Sequence, residues 1–265
     1  MANELKGLEA KGLLPAGDEL KTICEELSDV MTPGMFGALS IAPAAAGIFK
    51  VVEPGGEEKQ NAGDTVDCVI VASHACNVRW KSPFGKGAPG ELPACRSLDG
   101  VAGVDEDGGR HACAECPYNQ FSDDGGRKAC TNQRQLYILR PGDVFPILFK
   151  LPPSAIRSFD RYRVRVTLSV RAPLHAVLTQ MTLVTRQSAG GVDYSAPVFT
   201  PVGVLPLEEA NRAKAFVDGI VASARRAGIL AEDAEAQAEA PDPAPVTDAQ
   251  SGFAVMPDAE LPDVF

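Results

Sequence analysis

The chain has 265 residues, of which 45% are hydrophobic, so it is long enough to bury a sizeable core and is not composed like a wholly disordered protein. Its formal net charge of −10 is concentrated at one end, because residues 231–265 hold nine acidic residues and no Lys or Arg. Residues 127–171, in contrast, carry ten basic and two acidic residues. A basic surface and an acidic tail are therefore expected in one chain.

The first 35 residues predict an N-terminal helical segment, because DELKTICEELSDV (18–30) places apolar residues at helical spacing. The opening sequence MANELKGLEAKGLL lacks a basic stretch followed by an apolar one. We therefore expect no secretory signal and a cytoplasmic location. Residues 30–49 are uncharged but contain prolines and glycines, which argues against a membrane-spanning helix.

Residues 36–230 predict one domain that is mainly β with flanking helices, an α+β fold. Strand patterns cover 39–53, 65–81, 134–140, 146–151, 174–186 and 194–204. Short strands at this density favour a small Greek-key barrel over a parallel α/β sheet. The segment PLEEANRAKAFVDGIVASARRAG (206–228) predicts a helix, since it opens with Pro and acids and closes with Arg-Arg and Gly.

Two stretches of the body carry a further expectation. In TVDCVIVASHACNVRWK (65–81), simple alternation places the even positions on one buried face, including Cys68 and Cys76, and makes His74 an interior histidine. The second stretch, SFDRYRVRVTLSV (158–170), fits a helix or a strand. As a helix after Pro152-Pro153 with Ser154 as cap, it aligns arginines at i, i+4 and i+8; as a strand it aligns them at i, i+2 and i+4.

Residues 81–133 are rich in Gly, Pro, Asp and Cys and predict an insertion without its own apolar core. Its cysteines, Cys95, Cys113, Cys116 and Cys130, have the spacing C-x17-C-x2-C-x13-C. A C-x2-C pair and two further thiols suit a structural zinc ion, whose binding free energy substitutes for a core. His111 lies close enough in sequence to replace Cys95 as a ligand, so that choice stays open.

Aromatic and basic residues lie together in RWKSPFGK (79–86), RQLYILR (134–140) and FDRYRVRV (159–166), and YNQF (118–121) adds two further aromatic residues. Single-stranded nucleic acid is held in this way, because cations contact the phosphates and flat rings stack on unpaired bases. The predicted DNA-binding residues are Arg79, Trp80, Lys81, Phe84, Arg134, Tyr137, Arg140, Lys150, Arg157, Arg161, Tyr162, Arg163 and Arg165. A solvated charged face on an ordinary element is the alternative explanation.

No catalytic constellation is present in the sequence. It contains no G-x-S-x-G, no phosphate-binding glycine loop and no H-E-x-x-H, and its three histidines stand in unlike contexts. We therefore expect a protein that is not an enzyme. The alternatives are a zinc-dependent nuclease or recombination enzyme, and a structural or adaptor protein that acts through its tail.

The cysteine segment CAECPYNQF, the basic-aromatic stretches and the ending DAELPDVF together resemble the single-stranded-DNA-binding proteins of phages and bacteria. The bacterial members end in an acidic tip that closes on Ile-Pro-Phe, and this chain ends in a looser version. CAECPYNQF and the stretch from ACTNQRQLY to IRSFDRY also resemble a group of phage proteins encoded beside replication genes. The resemblance implies an OB-fold that coats single-stranded DNA in viral DNA replication or recombination.

Residues 231–265 predict a disordered acidic tail, because they cannot bury enough apolar surface to offset chain entropy. The resemblance implies that this tail recruits replication or recombination proteins. The residues expected to bind such a partner are Asp258, Glu260, Leu261, Pro262, Asp263, Val264 and Phe265. A solubilising tail is the simpler alternative, and the sequence leaves open a homodimer and a preference for RNA.

Overall fold

A computed structural model describes Thr22 and residues 36–42, 46–56, 58–82, 93–121, 128–143, 145–188 and 191–226, with side chains in the last range described to residue 222. Apart from Thr22, the predicted N-terminal segment up to residue 35 lies outside the described residues. Phe84 and the whole acidic tail also lie outside them. The predicted roles of Phe84 and of the tail therefore stay predictions.

The strands in these ranges are β1 (Gly37–Ile41), β2 (Phe49–Val52), β3 (Lys59–Gly63), β4 (Thr65–Arg79), β5 (Cys95–Ser97), β6 (Ala102–Asp105), β7 (Arg110–Ala112), β8 (Cys130–Leu139), β9 (Ile147–Leu151), β10 (Val177–Gln187) and β11 (Asp193–Val204). The helices are α1 (Pro153–Arg165) and α2 (Leu207–Arg226), with 3₁₀ turns at Pro117–Asn119 and Leu174–Ala176. This content confirms a mainly β, α+β fold.

The strands join one mixed sheet in the order β3-β2-β1-β9-β8-β4-β5-β6-β7, while β10 pairs with β4 and with β11. The β1–β9 pairing is parallel and the other pairings are antiparallel. The 15-residue strand β4 organises the sheet, because it pairs with β8 along residues 69–79, with β10 along 65–69 and with β5 along 77–79. The insertion is therefore a continuation of the sheet.

Two apolar cores lie on opposite faces of the sheet. On β8, Leu136 and Ile138 belong to the first core, whereas the alternating Tyr137 and Leu139 belong to the second. The first core lies between the sheet and α1 and includes an edge-to-face contact of Phe49 with Phe149, with ring centroids 6.1 Å apart. Each fully buried Phe contributes about 1.5–3 kcal/mol.

Helix α2 covers the second core. Its buried apolar residues recur at helical spacing and pack on the outer face of β4, β8 and β9. They are Ala213, Phe216, Val217, Ile220 and Val221. The predicted helix over 206–228 thus corresponds to α2, which begins at Leu207.

A β-bulge in β4 makes the predicted alternation wrong beyond Ile70. The register to β8 shifts between Ile70 and Ala72. Cys68 and Ile70 belong to the first core as predicted, but the His74 ring contacts Tyr137 of the second core, with centroids 5.3 Å apart. An extra residue at a bulge moves all following side chains to the other face, so the simple even-position rule fails there.

The stretch 158–170 is helical. Helix α1 begins after Pro152, and its buried Ala155, Phe159 and Tyr162 point into the first core at i, i+4 and i+7. Ser154 is not the cap, because the capping residue is Pro152 and no side chain caps the helix. A π-helical turn, Val166–Val170, follows and ends at Arg171, whose φ of 57° is left-handed.

No helix in the described part of the chain is both long enough and apolar enough to cross a bilayer.

Candidate nucleic-acid interface and cysteine cluster

The four predicted metal ligands line one cavity of the insertion. Cys95 on β5 and Cys130 on β8 are both in register with Arg79 of β4, the strand between them. Cys113 and Cys116 lie in the turn that follows β7. Three neighbouring strands and one turn thus bring together thiols that are up to 35 positions apart in sequence.

Gly103 on β6 makes the close approach of these thiols possible. A Cβ atom at this position would lie 2.9 Å from Cys95 Sγ and 3.6 Å from Cys113 Sγ. A real Cβ does not approach another atom to 2.9 Å, so a larger residue would displace the Cys95 thiol. The glycine is therefore a local requirement of the cysteine cluster.

The thiols share one electrostatic environment. The pKa of the Cys130 thiol is raised to about 11, chiefly by burial and also by the neighbouring Cys113, Cys95 and Cys116 thiols. Burial also raises the pKa of the Cys95 thiol, again with contributions from Cys113 and Cys116. Mutual proximity of the four sulfurs explains this coupling.

The donor chemistry at this cavity fits zinc, since four thiols are a common structural zinc set. Within the described ranges, however, no group of three or more His, Cys, Asp or Glu side chains has the arrangement of a metal site. The described cysteines form no disulfide. The sulfurs would therefore have to move closer together to bind an ion.

His111, the alternative ligand, lines the same cavity. Its Nε2 lies 2.6 Å from Asp105 Oδ2, and this hydrogen bond is the main reason why the pKa of Asp105 is below its usual value. Only Nδ1 of His111 would then remain for a metal ion. The choice between Cys95 and His111 stays open.

The insertion also displays two exposed aromatic rings, each beside a cation. The guanidinium carbon of Arg79 lies 4.2 Å from the ring centroid of Tyr118, and Lys128 Nζ lies 4.8 Å from that of Phe121. The rings are 50% and 68% exposed, respectively. We call these four residues the insertion surface. The predicted DNA-binding residues do not include Tyr118, Phe121 or Lys128, although the sequence pattern includes YNQF (118–121).

Helix α1 carries a second basic surface, which we call the α1 surface. It consists of Arg134 from β8 with Arg157, Arg161, Arg163 and Arg165 from α1. Among the described residues, Asp160 is the single carboxylate that pairs with it, 3.4 Å from Arg134 and 3.7 Å from Arg163. Arg157 and Arg161 are exposed and form no ion pair with any described residue. Five arginines against one aspartate leave this surface strongly positive.

The two surfaces meet on β8. Asn132 and Arg134 are two residues apart on this strand and so point to the same face. Asn132 hydrogen-bonds Asn119 of the insertion, and Arg134 contacts Asp160 of α1. The insertion surface and Arg134 of the α1 surface therefore lie on the same face of the sheet and are joined through β8.

Two predicted stacking residues are wrong for that role. Tyr137 and Tyr162 are 3% and 4% exposed, because their rings fill the second and the first core. The Tyr162 hydroxyl lies 2.6 Å from Thr179 Oγ1, and burial raises the pKa of Tyr162 to about 12. Neither ring offers a face to a base.

Arg140 is also unsuited to bind phosphate. Its guanidinium donates to both carboxylate oxygens of Glu53, at 3.0 and 2.6 Å, and to Asp143 at 2.7 Å. Although burial lowers the pKa of Arg140, hydrogen bonds to these carboxylates outweigh it and raise the pKa. Arg140 thus fixes loops of the body.

The remaining predicted residues are dispersed. Lys150 follows Leu148 of the second core by two residues, so it lies on the face opposite to α1. Lys81 pairs with Glu106, and Trp80 is half-buried at the end of β4. The structure thus brings together Arg79, Arg134 and the α1 arginines, but neither Lys150 nor Arg140 joins them.

Comparison with protein-family models, with curated proteins and with solved structures finds no match for this chain. The class of ligand therefore has to be inferred from the side chains that the two surfaces present.

Proposed function

We propose that this protein binds single-stranded DNA and coats it during viral DNA replication or recombination, without enzymatic activity. One observation carries the proposal: the insertion surface and Arg134 of the α1 surface lie on the same face of the sheet and are joined through β8. Stacking of a base on an aromatic ring contributes about 1–3 kcal/mol without reading sequence, and arginines contact the phosphates. A duplex hides its base faces, so exposed rings favour a single strand.

The strand pairing supports an OB-type barrel as the scaffold. An OB fold is a five-stranded, partly open Greek-key barrel. The strands β4, β8, β9, β10 and β11 correspond to the five, since β4 pairs with both β8 and β10 and α1 joins β9 to β10. The insertion then occupies the connection between the first two strands, a loop that OB folds use for oligonucleotides.

We further propose that zinc holds the insertion through Cys95, Cys113, Cys116 and Cys130. The ion would supply a structural cross-link, because four thiolates leave no open position for a reacting water. All four thiols line one cavity, and Gly103 beside them leaves room for their close approach. Both observations support this assignment. Recruitment of replication or recombination proteins by the acidic tail completes the proposal and stays a prediction, as does a cytoplasmic location.

Binding is tested by fluorescence anisotropy with a labelled oligo-dT and a duplex of equal length at several salt concentrations. We expect tighter binding of oligo-dT, with a logarithm of the affinity that falls linearly with the logarithm of salt by about 0.7 per phosphate contact. Binding that is absent, or that prefers the duplex, contradicts the proposed function.

The α1 surface is tested by the double substitution Arg157→Ala with Arg161→Ala. We expect the salt slope to become shallower by about 1.4, because two phosphate contacts are lost. The matched control is Arg212→Ala with Lys214→Ala, which removes two cations from α2 on the opposite face. Equal effects of the two double variants would show that only net charge matters and that α1 is not the binding site.

A further inference from the structure

Asn132 joins the two cation–ring pairs of the insertion surface. Its Oδ1 accepts a hydrogen bond from Lys128 Nζ at 3.2 Å, and Lys128 lies over the Phe121 ring. Its Nδ2 donates to Asn119 Oδ1 at 2.9 Å, and Asn119 is the residue after Tyr118. One amide on a sheet strand thus contacts both sides of the insertion surface.

The same network reaches β4 and the cysteine turn. Asn132 Nδ2 also donates to Asn77 Oδ1 at 2.7 Å, and Asn77 is buried. Asn119 Nδ2 donates to the carbonyl oxygen of Cys113 at 2.8 Å, and its backbone N–H donates to that of Cys116 at 2.9 Å. Because both hydrogens of the Asn132 amide are used, its orientation is fixed. The rings are therefore held by hydrogen bonds where no apolar core supports them.

Arg79 determines which face of the Tyr118 ring a ligand can reach. The guanidinium covers one face of the ring, and the ring remains half exposed. A base stacking on the other face would complete a cation–ring–base sandwich, in which the cation reinforces stacking. Phe121, three residues further on in the sequence and also exposed, offers a second ring.

We propose that Tyr118 and Phe121 form a two-ring stacking platform for unpaired bases and that Asn132 is its positioning residue. The platform rests on the proposed function and deepens it, because it names the base-binding residues and the group that orders them. Ordering matters energetically: rings that are already fixed lose less conformational entropy when a base stacks on them. Asn132 acts through the rings and touches no nucleotide.

The platform is tested with the full chain, fluorescein-labelled oligo-dT and anisotropy at several salt concentrations. We expect Tyr118→Ala to weaken binding by about 5-fold or more, and Tyr118→Phe to stay close to the parent protein because the ring is kept. The salt slope should be unchanged in both, since stacking neutralises no phosphate. Equal affinity of Tyr118→Ala and the parent protein would overturn the platform while leaving the proposed function in place.

The positioning role is tested with Asn132→Ala, its matched control Asn61→Ala on the distant β3, and the double variant Asn132→Ala with Tyr118→Ala. We expect Asn132→Ala to weaken oligo-dT binding with an unchanged salt slope and Asn61→Ala to have no effect. The double variant should lose less than the product of the two single losses, because both act on one ring. Fully multiplicative losses would overturn the positioning role. If Asn132→Ala lowers thermal stability, the comparison of Tyr118→Ala with Tyr118→Phe still tests whether the stacking platform exists.

Discussion

The body of the molecule and its cysteine-bearing insertion differ in what fills the space between their strands. The two apolar cores are built from β1, β2, β4, β8, β9, β10, β11 and the two α-helices, and neither core includes a residue from 93–121. Among the described residues of the insertion, the buried apolar side chains are Ala94 and Cys113. The body is thus stabilised by apolar burial, which contributes little in the described part of the insertion.

Polar groups replace the missing core in the insertion. Asp99 Oδ1 accepts hydrogen bonds from the backbone N–H groups of Val101 and Ala102, at 2.7 and 3.0 Å, and Asp105 Oδ1 accepts one from Gly109 at 2.6 Å. Such bonds fix turns locally, but they do not replace the burial of an apolar core. A segment of this kind needs a further cross-link, and the four thiols are placed to provide it. Four substitutions test this contrast.

Cys116→Ser should disable the insertion and spare the body. We expect loss of bound zinc and rapid protease cleavage within residues 93–121, because the proposed ion would be the main source of order there. Native mass spectrometry measures the metal, and timed proteolysis measures the cleavage. The control Cys76→Ser, outside the cluster, should keep both properties. A zinc-free parent protein whose insertion resists protease would refute the proposed zinc cross-link.

Phe149→Ala should have the reverse effect. The Phe149 side chain is fully buried in the first core, so its truncation should lower the free energy of unfolding of the body by about 3–5 kcal/mol. Urea denaturation measures this change. Zinc content should remain that of the parent protein, and simultaneous loss of zinc would show that the two regions do not differ as argued.

Gly103→Ala should weaken zinc binding without destabilising the body, because the new methyl group displaces the Cys95 thiol. We expect about 10-fold weaker affinity in competition with a chelator, comparable to other changes beside metal ligands. The control is Gly219→Ala on α2, where a Cβ meets nothing within 4 Å. Unchanged zinc affinity would argue for a ligand set that does not include Cys95.

Tyr162→Phe should have the smallest effect and separates packing from binding. Loss of the buried hydrogen bond to Thr179 should cost about 1 kcal/mol in the free energy of unfolding. The affinity for oligo-dT should not change, since the ring is inside the first core. A clear loss of DNA affinity would restore Tyr162 as a base-binding residue.

Local patterns predicted the elements of the body well. The mainly β character and helix α2 follow from apolar periodicity, and the arginine spacing anticipated the exposed stripe of α1. Alternation failed in β4 because a bulge after Ile70 leaves no mark in residue type. The sequence did not decide whether residues 158–170 form a helix or a strand, because helical and strand periodicity both align arginines on one face. Tertiary packing of the apolar residues decides it.

The candidate site was predicted less completely, because burial decides which aromatic residues are available. Tyr137 lies three residues from Arg134 and from Arg140 and yet fills a core, whereas Tyr118, which has no Lys or Arg within seven positions, is half exposed. Likewise, Arg140 and Arg157 look alike until the carboxylates of Glu53 and Asp143 are found around the first. Contacts between residues distant in sequence carry this information, and local composition does not.

The central claim is that single-stranded DNA lies across the insertion surface and the α1 surface. The most direct measurement is photo-cross-linking of the full chain to an oligonucleotide that contains 5-bromodeoxyuridine, followed by mass spectrometry of the cross-linked peptides. We predict cross-links at Tyr118 and Phe121 and on α1. Cross-links confined to α2 or β3, or none under conditions where the oligonucleotide is bound, would contradict the account.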